Sequence, residues 1–256
     1  MTDNVALADR IWEAIELRRA IAPLTNDVPE LTVDAAYDIQ DAVIAKHLAT
    51  GASIAAAKLG LTSTAKQRQM NVEEPLYGWM TDAMRLPGDN MLTVAQFIQP
   101  RVEPEVAFMT DRELSGPGVS AAEVLSATEW VAPAIDVLDS RFTGYQFTLA
   151  DVTADNSSAA AYALGEPVML RGDLRLTGCV FSKNGDVVAT AAGAAVMEHP
   201  AAAMAWFVRK LHARGRSLPA GSLVLAGSWT AAIPVAPGDI VHAEFDRIGE
   251  VTVRCL

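Results

Sequence analysis

Apolar residues in the first fifty positions recur at helical spacing. Leu7, Ile11 and Ile15 fall on one stripe and Ala36, Ile39, Val43 and Ala45 near another, so the pattern predicts amphipathic helices over residues 5–21 and 33–49. The connector APLTNDVPEL carries two prolines and an Asn-Asp pair, which break both periods. After about residue 53 the texture changes to short β-prone runs separated by Gly, Pro and Asp. GCVFSKNGDVVATAAG predicts a hairpin, because Asn184-Gly185 supplies the positive φ angles of a type I′ turn between two such runs. HPAAAMAWFVRKLHARG predicts a helix that starts near His199-Pro200, carries basic residues late and stops at Gly215. The last segment alternates strands with Pro-Gly and Ile-Gly breaks. The expected fold class is α+β, with a helical N-terminal cap over 1–52 on a mixed, mostly antiparallel β-rich body over 53–256. No internal repeat or low-complexity tract interrupts it.

Composition narrows the function classes. Among 256 residues, 51% are hydrophobic and 20% charged, a globular balance that excludes disordered and fibrous chains. The longest apolar runs, such as 191–197, are too short to cross a bilayer, so no membrane partner is expected. The N-terminal stretch has early acids and lacks a basic region followed by an apolar core, which points to a cytoplasmic protein. A formal net charge of −11 argues against a nucleic-acid partner. Cys179 and Cys255 lack the close spacing of a zinc site and read as core or terminal-strand thiols.

The chemistry concentrates in QPRVEPEVAF. In a strand, residues two apart share a face, so Glu103 and Glu105 point one way and Val102 and Val106 the other. This alternation fits a half-buried strand with both acids in water. It equally fits a divalent cation whose charge offsets their repulsion. Downstream, APAIDVLDSR adds Asp136 and Asp139 behind an apolar run. A hard cation such as Mg²⁺ takes a few protein oxygens and leaves positions for substrate.

Six ordered blocks, KLGLTSTAKQRQMNVEEPLYGWMTDAM, PRVEPEVAF, PAIDVLDSR, DVTADNSS, KNGDVVATAAGAAVMEHP and VAPGDIVHAEFDRIGEV, resemble the 2-keto-4-pentenoate hydratase and 4-oxalocrotonate decarboxylase family of the fumarylacetoacetate hydrolase superfamily. The resemblance runs from about residue 10 to the C-terminus. It implies a β-rich fold, a bound Mg²⁺ or Mn²⁺, and substrates that are unsaturated 2-oxo acids from the cleavage of aromatic rings. It makes Glu103 and Glu105 metal ligands and puts the third ligand on Asp136, where relatives more often have glutamate. The shorter side chain implies a bridging water or a strand set further inward. Asp139 and Arg141 read as a structural pair behind the metal, with Arg141 also a candidate for a substrate carboxylate.

Lys58 matches the family's active-site lysine and sits in an apolar run, SIAAAKLGL; a snorkelling strand lysine is the plainer alternative. Near a 2-oxo acid its ammonium can hold a carboxylate or move a proton. Ser158, beside Ser157, is a candidate for the substrate's carboxylate end. Hydratases of this family commonly carry aspartate where EEPLYGW has Leu76. An apolar residue there removes a water-activating group and dries the pocket. TAAIPVAPGD also resembles the decarboxylase branch. The expected activity is therefore metal-dependent decarboxylation of 2-oxo-3-hexenedioate (4-oxalocrotonate) to 2-hydroxypenta-2,4-dienoate, with hydratase as the alternative. A non-catalytic partner subunit of a hydratase is a third reading, disfavoured by the joint presence of Glu103, Glu105 and Lys58. A homo-oligomer and association with a homologous hydratase are expected. His47, His199, His212 and His242 are scattered and read as surface or cap residues; LAGSWTA and SGPGVS match neither a nucleophile elbow nor a dinucleotide loop. Met70, Met80 and Met84 read as packing residues.

Overall fold

The computed structural model describes residues 4–63, 67 and 74–256. Met70 lies outside them. The helices are α1 (Asn4–Leu17), α2 (Val33–Ala49), α3 (Ala121–Ser126), α4 (Leu149–Ala154) and α5 (Pro200–Ala213). The strands are β1 (Ile54–Gly60), β2 (Leu76–Thr81), β3 (Met91–Leu92), β4 (Arg101–Thr110), β5 (Thr128–Leu138), β6 (Ala159–Leu164), β7 (Gly178–Lys183), β8 (Asp186–Ala192), β9 (Leu223–Leu225), β10 (Ile233–Pro234), β11 (Ile240–Phe245) and β12 (Gly249–Cys255).

The strands form two sheets. One runs β2-β1-β9-β4-β5-β6 with β10 also on β4, the other β3-β12-β11-β7-β8. Every pairing is antiparallel except β1 with β9 and β12 with β3, so the sheets are mixed and mostly antiparallel as the sequence predicts. Val102, Val106 and Phe108 of β4 and Ile135 and Val137 of β5 share one core with Phe181, Val241, Phe245 and Val253 of the second sheet. The apolar face of β4 is therefore spent on sheet-to-sheet packing. What its other face meets decides the function.

α1 and α2 form a second core with Phe142, Ala150 and Ala154. α2 spans the predicted residues, with Thr32 accepting a hydrogen bond from the Ala35 amide at its N-cap. Its buried stripe continues through Ile44, while Ala45 is exposed. α1 ends at Leu17, four residues short of prediction, because Arg18 turns left-handed at φ 48° and the Arg19 amide returns to the Ala14 carbonyl. That cap usually falls to glycine, so the sequence does not announce it. Gln40 ties α2 to the body, donating to the carbonyls of Tyr77 and Thr153, both at 2.9 Å.

Later elements follow their local signals. Asn184 and Gly185 adopt φ 56° and 90° in the β7–β8 turn. His199 caps α5 by accepting the Ala201 amide, and both cysteines are buried and unbridged.

One segment defies propensity. Asn156, Ser157 and Ser158 are consecutively left-handed, at φ 51°, 57° and 53°, a conformation that costs about 1–2 kcal/mol per residue for L-amino acids. Two anchors offset the cost. Asn156 bonds both the amide and the carbonyl of Trp79, at 2.8 and 2.7 Å, like an extra strand partner for β2. Asp155, fully buried, pairs with Arg141. Replacing Asn156 by Ala removes two part-buried hydrogen bonds and keeps the left-handed demand. We expect a loss of about 2–4 kcal/mol, read from chemical denaturation midpoints. An unchanged midpoint would show that the turn is held from elsewhere.

Candidate functional site

β4 and β5 pair so that Glu103 lies directly opposite Asp136, with Glu105 two residues further along the same face. Their nearest carboxylate oxygens lie within 4.8 Å of one another, and all three residues are buried. Glu103 is 4% exposed, and Glu105 and Asp136 are 0% exposed. The half-buried strand with wet acids is thereby excluded. From Val102 to Phe108, β4 is buried on both faces.

β1 reaches the same spot through β9, which sits between it and β4. Lys58 Nζ lies 2.7 Å from Asp136 Oδ2 and donates to the Ser157 carbonyl at 3.2 Å. Lys58 is 1% exposed, so it does not snorkel. The left-handed turn brings that carbonyl inward. Glu105 Oε2 accepts the Gly227 amide at 2.7 Å, while its buried Oε1 has no hydrogen-bond partner among the described residues. Gly227 stands at φ 107°, and a Cβ there would come within 2.1 Å of Thr62 Oγ1. Only glycine delivers this amide to Glu105 without displacing Thr62.

Three ionised carboxylates facing one ammonium leave two uncompensated charges in a buried space. At roughly 4–5 Å, two like charges repel by about 3–4 kcal/mol with an effective dielectric near 20. Burial and the charges of Asp136 and Glu103 push the Glu105 carboxyl well above its usual range, against the pull of Lys58 and the Gly227 amide. Burial lowers the Lys58 ammonium, but Asp136, Glu103 and Glu105 outweigh it and hold its pKa above the usual lysine value. Hard oxygens at this spacing, with one carboxylate oxygen unengaged, fit a divalent cation.

A cavity of about 280 Å³ opens beside the cluster. Lys58, Leu76, Glu103 and Ser158, all singled out by sequence, line it, together with Ser157. The Ser158 hydroxyl lies 3.3 Å from Asp155 Oδ2, its hydrogen-bond acceptor. Leu76 is buried at the start of β2.

Arg141 departs from expectation. Its guanidinium bonds Asp155 and the carbonyls of Asp139, at 2.7 Å, and Ala159, at 3.1 Å, and it does not line the cavity. Nor does its side chain pair with the Asp139 carboxylate, which accepts the amides of Ile98 at 2.9 Å and Gln99 at 2.7 Å. Arg141 braces the turn that carries Ser157 and Ser158. Among the described residues, the arginine at the cavity is Arg101, two residues before Glu103 on its face. Extending the period-two reading backward by one step would have found it. Tyr145, from a short 3-10 turn, and Phe147 and Ala231, from loops, are also in the lining and give no comparable signal.

Residues 44–255 match the model of the fumarylacetoacetate (FAA) hydrolase C-terminal family. This chain belongs to the fumarylacetoacetate hydrolase family. Among its relatives, a 4-oxalocrotonate decarboxylase of Pseudomonas sp. (strain CF600) is 39% identical over 98% of this chain and 96% of its own. A 2-hydroxyhexa-2,4-dienoate hydratase of Comamonas testosteroni is 37% identical over 96% of this chain and 94% of its own. The solved structure of 4-oxalocrotonate decarboxylase from Pseudomonas putida G7, complexed with magnesium and adipate, superposes with a TM-score of 0.97 at 38% identity, covering 100% of this chain and 99% of that one. The family resemblance and the α+β fold read from sequence both hold.

The charge excess in the cluster makes a stability prediction. In chelator, Glu105→Gln is expected to melt at a higher temperature than the parent, because one crowded charge is gone. With saturating Mg²⁺ the order reverses, since bound metal stabilises the folded protein more the more tightly it binds, with the logarithm of its affinity. Scanning calorimetry of both proteins under both conditions tests this; a variant that gains as much from Mg²⁺ as the parent does would remove Glu105 from the ligand set.

Proposed function

We propose that this protein is a metal-dependent lyase that decarboxylates 2-oxo-3-hexenedioate to 2-hydroxypenta-2,4-dienoate, in the degradation of aromatic compounds by meta cleavage. The observation that carries the reading is the buried constellation of Glu103, Glu105, Asp136 and Lys58 at the wall of a mostly apolar cavity. The magnesium-bound relative at 38% identity supports a divalent cation held by the three carboxylates. When bound, Mg²⁺ supplies positive charge that polarises the oxygens of the substrate's 2-oxo acid end.

The chain's own residues do the remainder. Lys58, kept protonated by its carboxylate neighbours, donates a hydrogen bond toward the 2-oxygen and is placed to deliver a proton there as the bond to the departing carboxyl group breaks. Asp136 and the Ser157 carbonyl fix the direction of its Nζ. Ser158 and Ser157 offer polar contacts to the substrate's carboxylate end. Leu76, with Val152 and Ala231, keeps water from the distal carbon.

Hydration of the dienoate is the competing reading, because hydratases stand nearly as close in sequence. Leu76 favours decarboxylation: hydration needs a group that orients water at the distal carbon, and a buried leucine supplies none. A non-catalytic subunit would gain nothing from burying Lys58 among three acids. The same proposal includes a cytoplasmic homo-oligomer associated with the hydratase that consumes its product. No helix among the described residues is long and apolar enough to cross a membrane.

Three measurements test the reaction and its parts. The Mg²⁺-loaded protein is expected to release CO₂ from 2-oxo-3-hexenedioate and to hydrate 2-hydroxypenta-2,4-dienoate poorly; efficient hydration without CO₂ release would overturn the assignment. Leu76→Asp should lower kcat/KM for decarboxylation by weakening binding, since a new negative charge repels the substrate's distal carboxylate. Lys58→Met keeps the length and the apolar stem, and we expect kcat/KM to fall by roughly two or more orders of magnitude, the range of a lost acid–base group. Near-normal kinetics would reduce Lys58 to a structural counterion.

A further inference from the structure

A six-carbon diacid bound by one end leaves a second carboxylate to account for. The first end belongs beside Glu103, Glu105 and Asp136. Among the described residues, the cavity's lining holds two cations, Lys58 and Arg101. Lys58 is engaged by Asp136 and the Ser157 carbonyl at the metal end.

Arg101 stands on the same face of β4 as the two glutamates, in the order Arg101, Glu103, Glu105. At about 3.4 Å per residue its Cα lies roughly 7 Å from that of Glu103 and 14 Å from that of Glu105. The two ends of an extended six-carbon chain are about 6 Å apart at ordinary C–C bond lengths. A substrate whose 2-oxo acid end sits at the carboxylate cluster therefore points its far end toward Arg101.

The setting holds the guanidinium ready. Its Cζ lies 4.0 Å from the centre of the Tyr145 ring. Tyr145 is itself fixed by its hydroxyl, 3.1 Å from the Leu138 carbonyl and 3.2 Å from that of Gln99. A guanidinium held over a ring face still has N–H groups to offer a carboxylate. β5 and β10 flank it, since Arg101 pairs with Leu138 and Pro234 in the ladder. Leu138, Phe147 and Ala231 line the same cavity, and apolar walls strengthen a charged hydrogen bond.

We propose that Arg101, stacked on Tyr145, reads the distal carboxylate and makes this site selective for six-carbon dicarboxylic 2-oxo acids over their monocarboxylic counterparts. The inference rests on the 2-oxo acid reading above and adds the residue that sets substrate class. Because the carboxylate is bound before its bond breaks, the contact acts on affinity and on the direction of that bond, and not on charge developing at the 2-oxygen.

The test is isothermal titration calorimetry of the Mg²⁺-loaded protein with 2-oxoadipate and with 2-oxohexanoate, which differ only in the distal group. Wild type is expected to bind the diacid about 10-fold or more tightly, the usual reach of a charged hydrogen bond. Arg101→Met should erase that preference by weakening the diacid alone, and Arg101→Lys should restore part of it. A variant that keeps the preference, or one that loses both ligands equally, overturns the proposal, the second outcome assigning Arg101 to the packing of Tyr145. Wild type that binds both ligands equally sinks the Arg101 assignment and leaves the 2-oxo acid reading intact. Wild type that binds neither sinks both.

Discussion

The structure turns on the burial of three carboxylates against one ammonium. Glu103, Glu105 and Asp136 lie on a strand face that has lost its water, and Lys58 balances one of their charges. Burying ions is costly unless each is paired or hydrogen-bonded, and breaking such a set leaves an unpaired charge in the interior. The remaining negative charge makes the cluster a place where a divalent cation is the least costly neighbour. The site is thus a local charge imbalance of the kind that a divalent cation would relieve.

That arrangement depends on strand register. Glu103 faces Asp136 because β4 and β5 pair as they do, and a slip of one residue would exchange the acids with Val102 and Ile135 on the other face. Both errors would be severe, since the opposite face is the core between the sheets. The apolar packing of Val106, Phe108 and Ile135 therefore holds the acids together. Packing and chemistry constrain the same strands from opposite sides.

A second layer of buried charge supports the first. Arg141 and Asp155 sit behind the left-handed turn at 156–158 and pair with one another; Arg141 also donates to backbone carbonyls, and Asp155 also accepts the Arg141 amide and the Ser158 hydroxyl. Asn156 ties the turn to β2, and the Ser157 carbonyl then meets Lys58. The unfavourable backbone is over-determined by its neighbours, the usual condition under which strain persists at a functional site.

The sequence by itself determined much of this protein. Period and cap signals marked α2, α5 and the β7–β8 turn, because those elements are governed by contacts within a few residues. Spacing of two put Glu103 and Glu105 on one face, and ordered motif blocks linked them to Asp136, Lys58, Leu76 and Ser158. Only the tertiary structure decided whether that face was wet or dry, since a strand alternates in the same way in both cases, and burial depends on what the other sheet and β9 bring. It also decided between the two arginines. Arg141 follows Asp136 by five positions but points into the brace with Asp155, whereas Arg101 reaches the cavity through the pleat of β4 and lies over the ring of Tyr145. Neither the left-handed end of α1 at Arg18 nor the turn at Asn156 was legible, because both place ordinary residues where glycine is the usual signal, and distant hydrogen bonds hold the turn at Asn156 there.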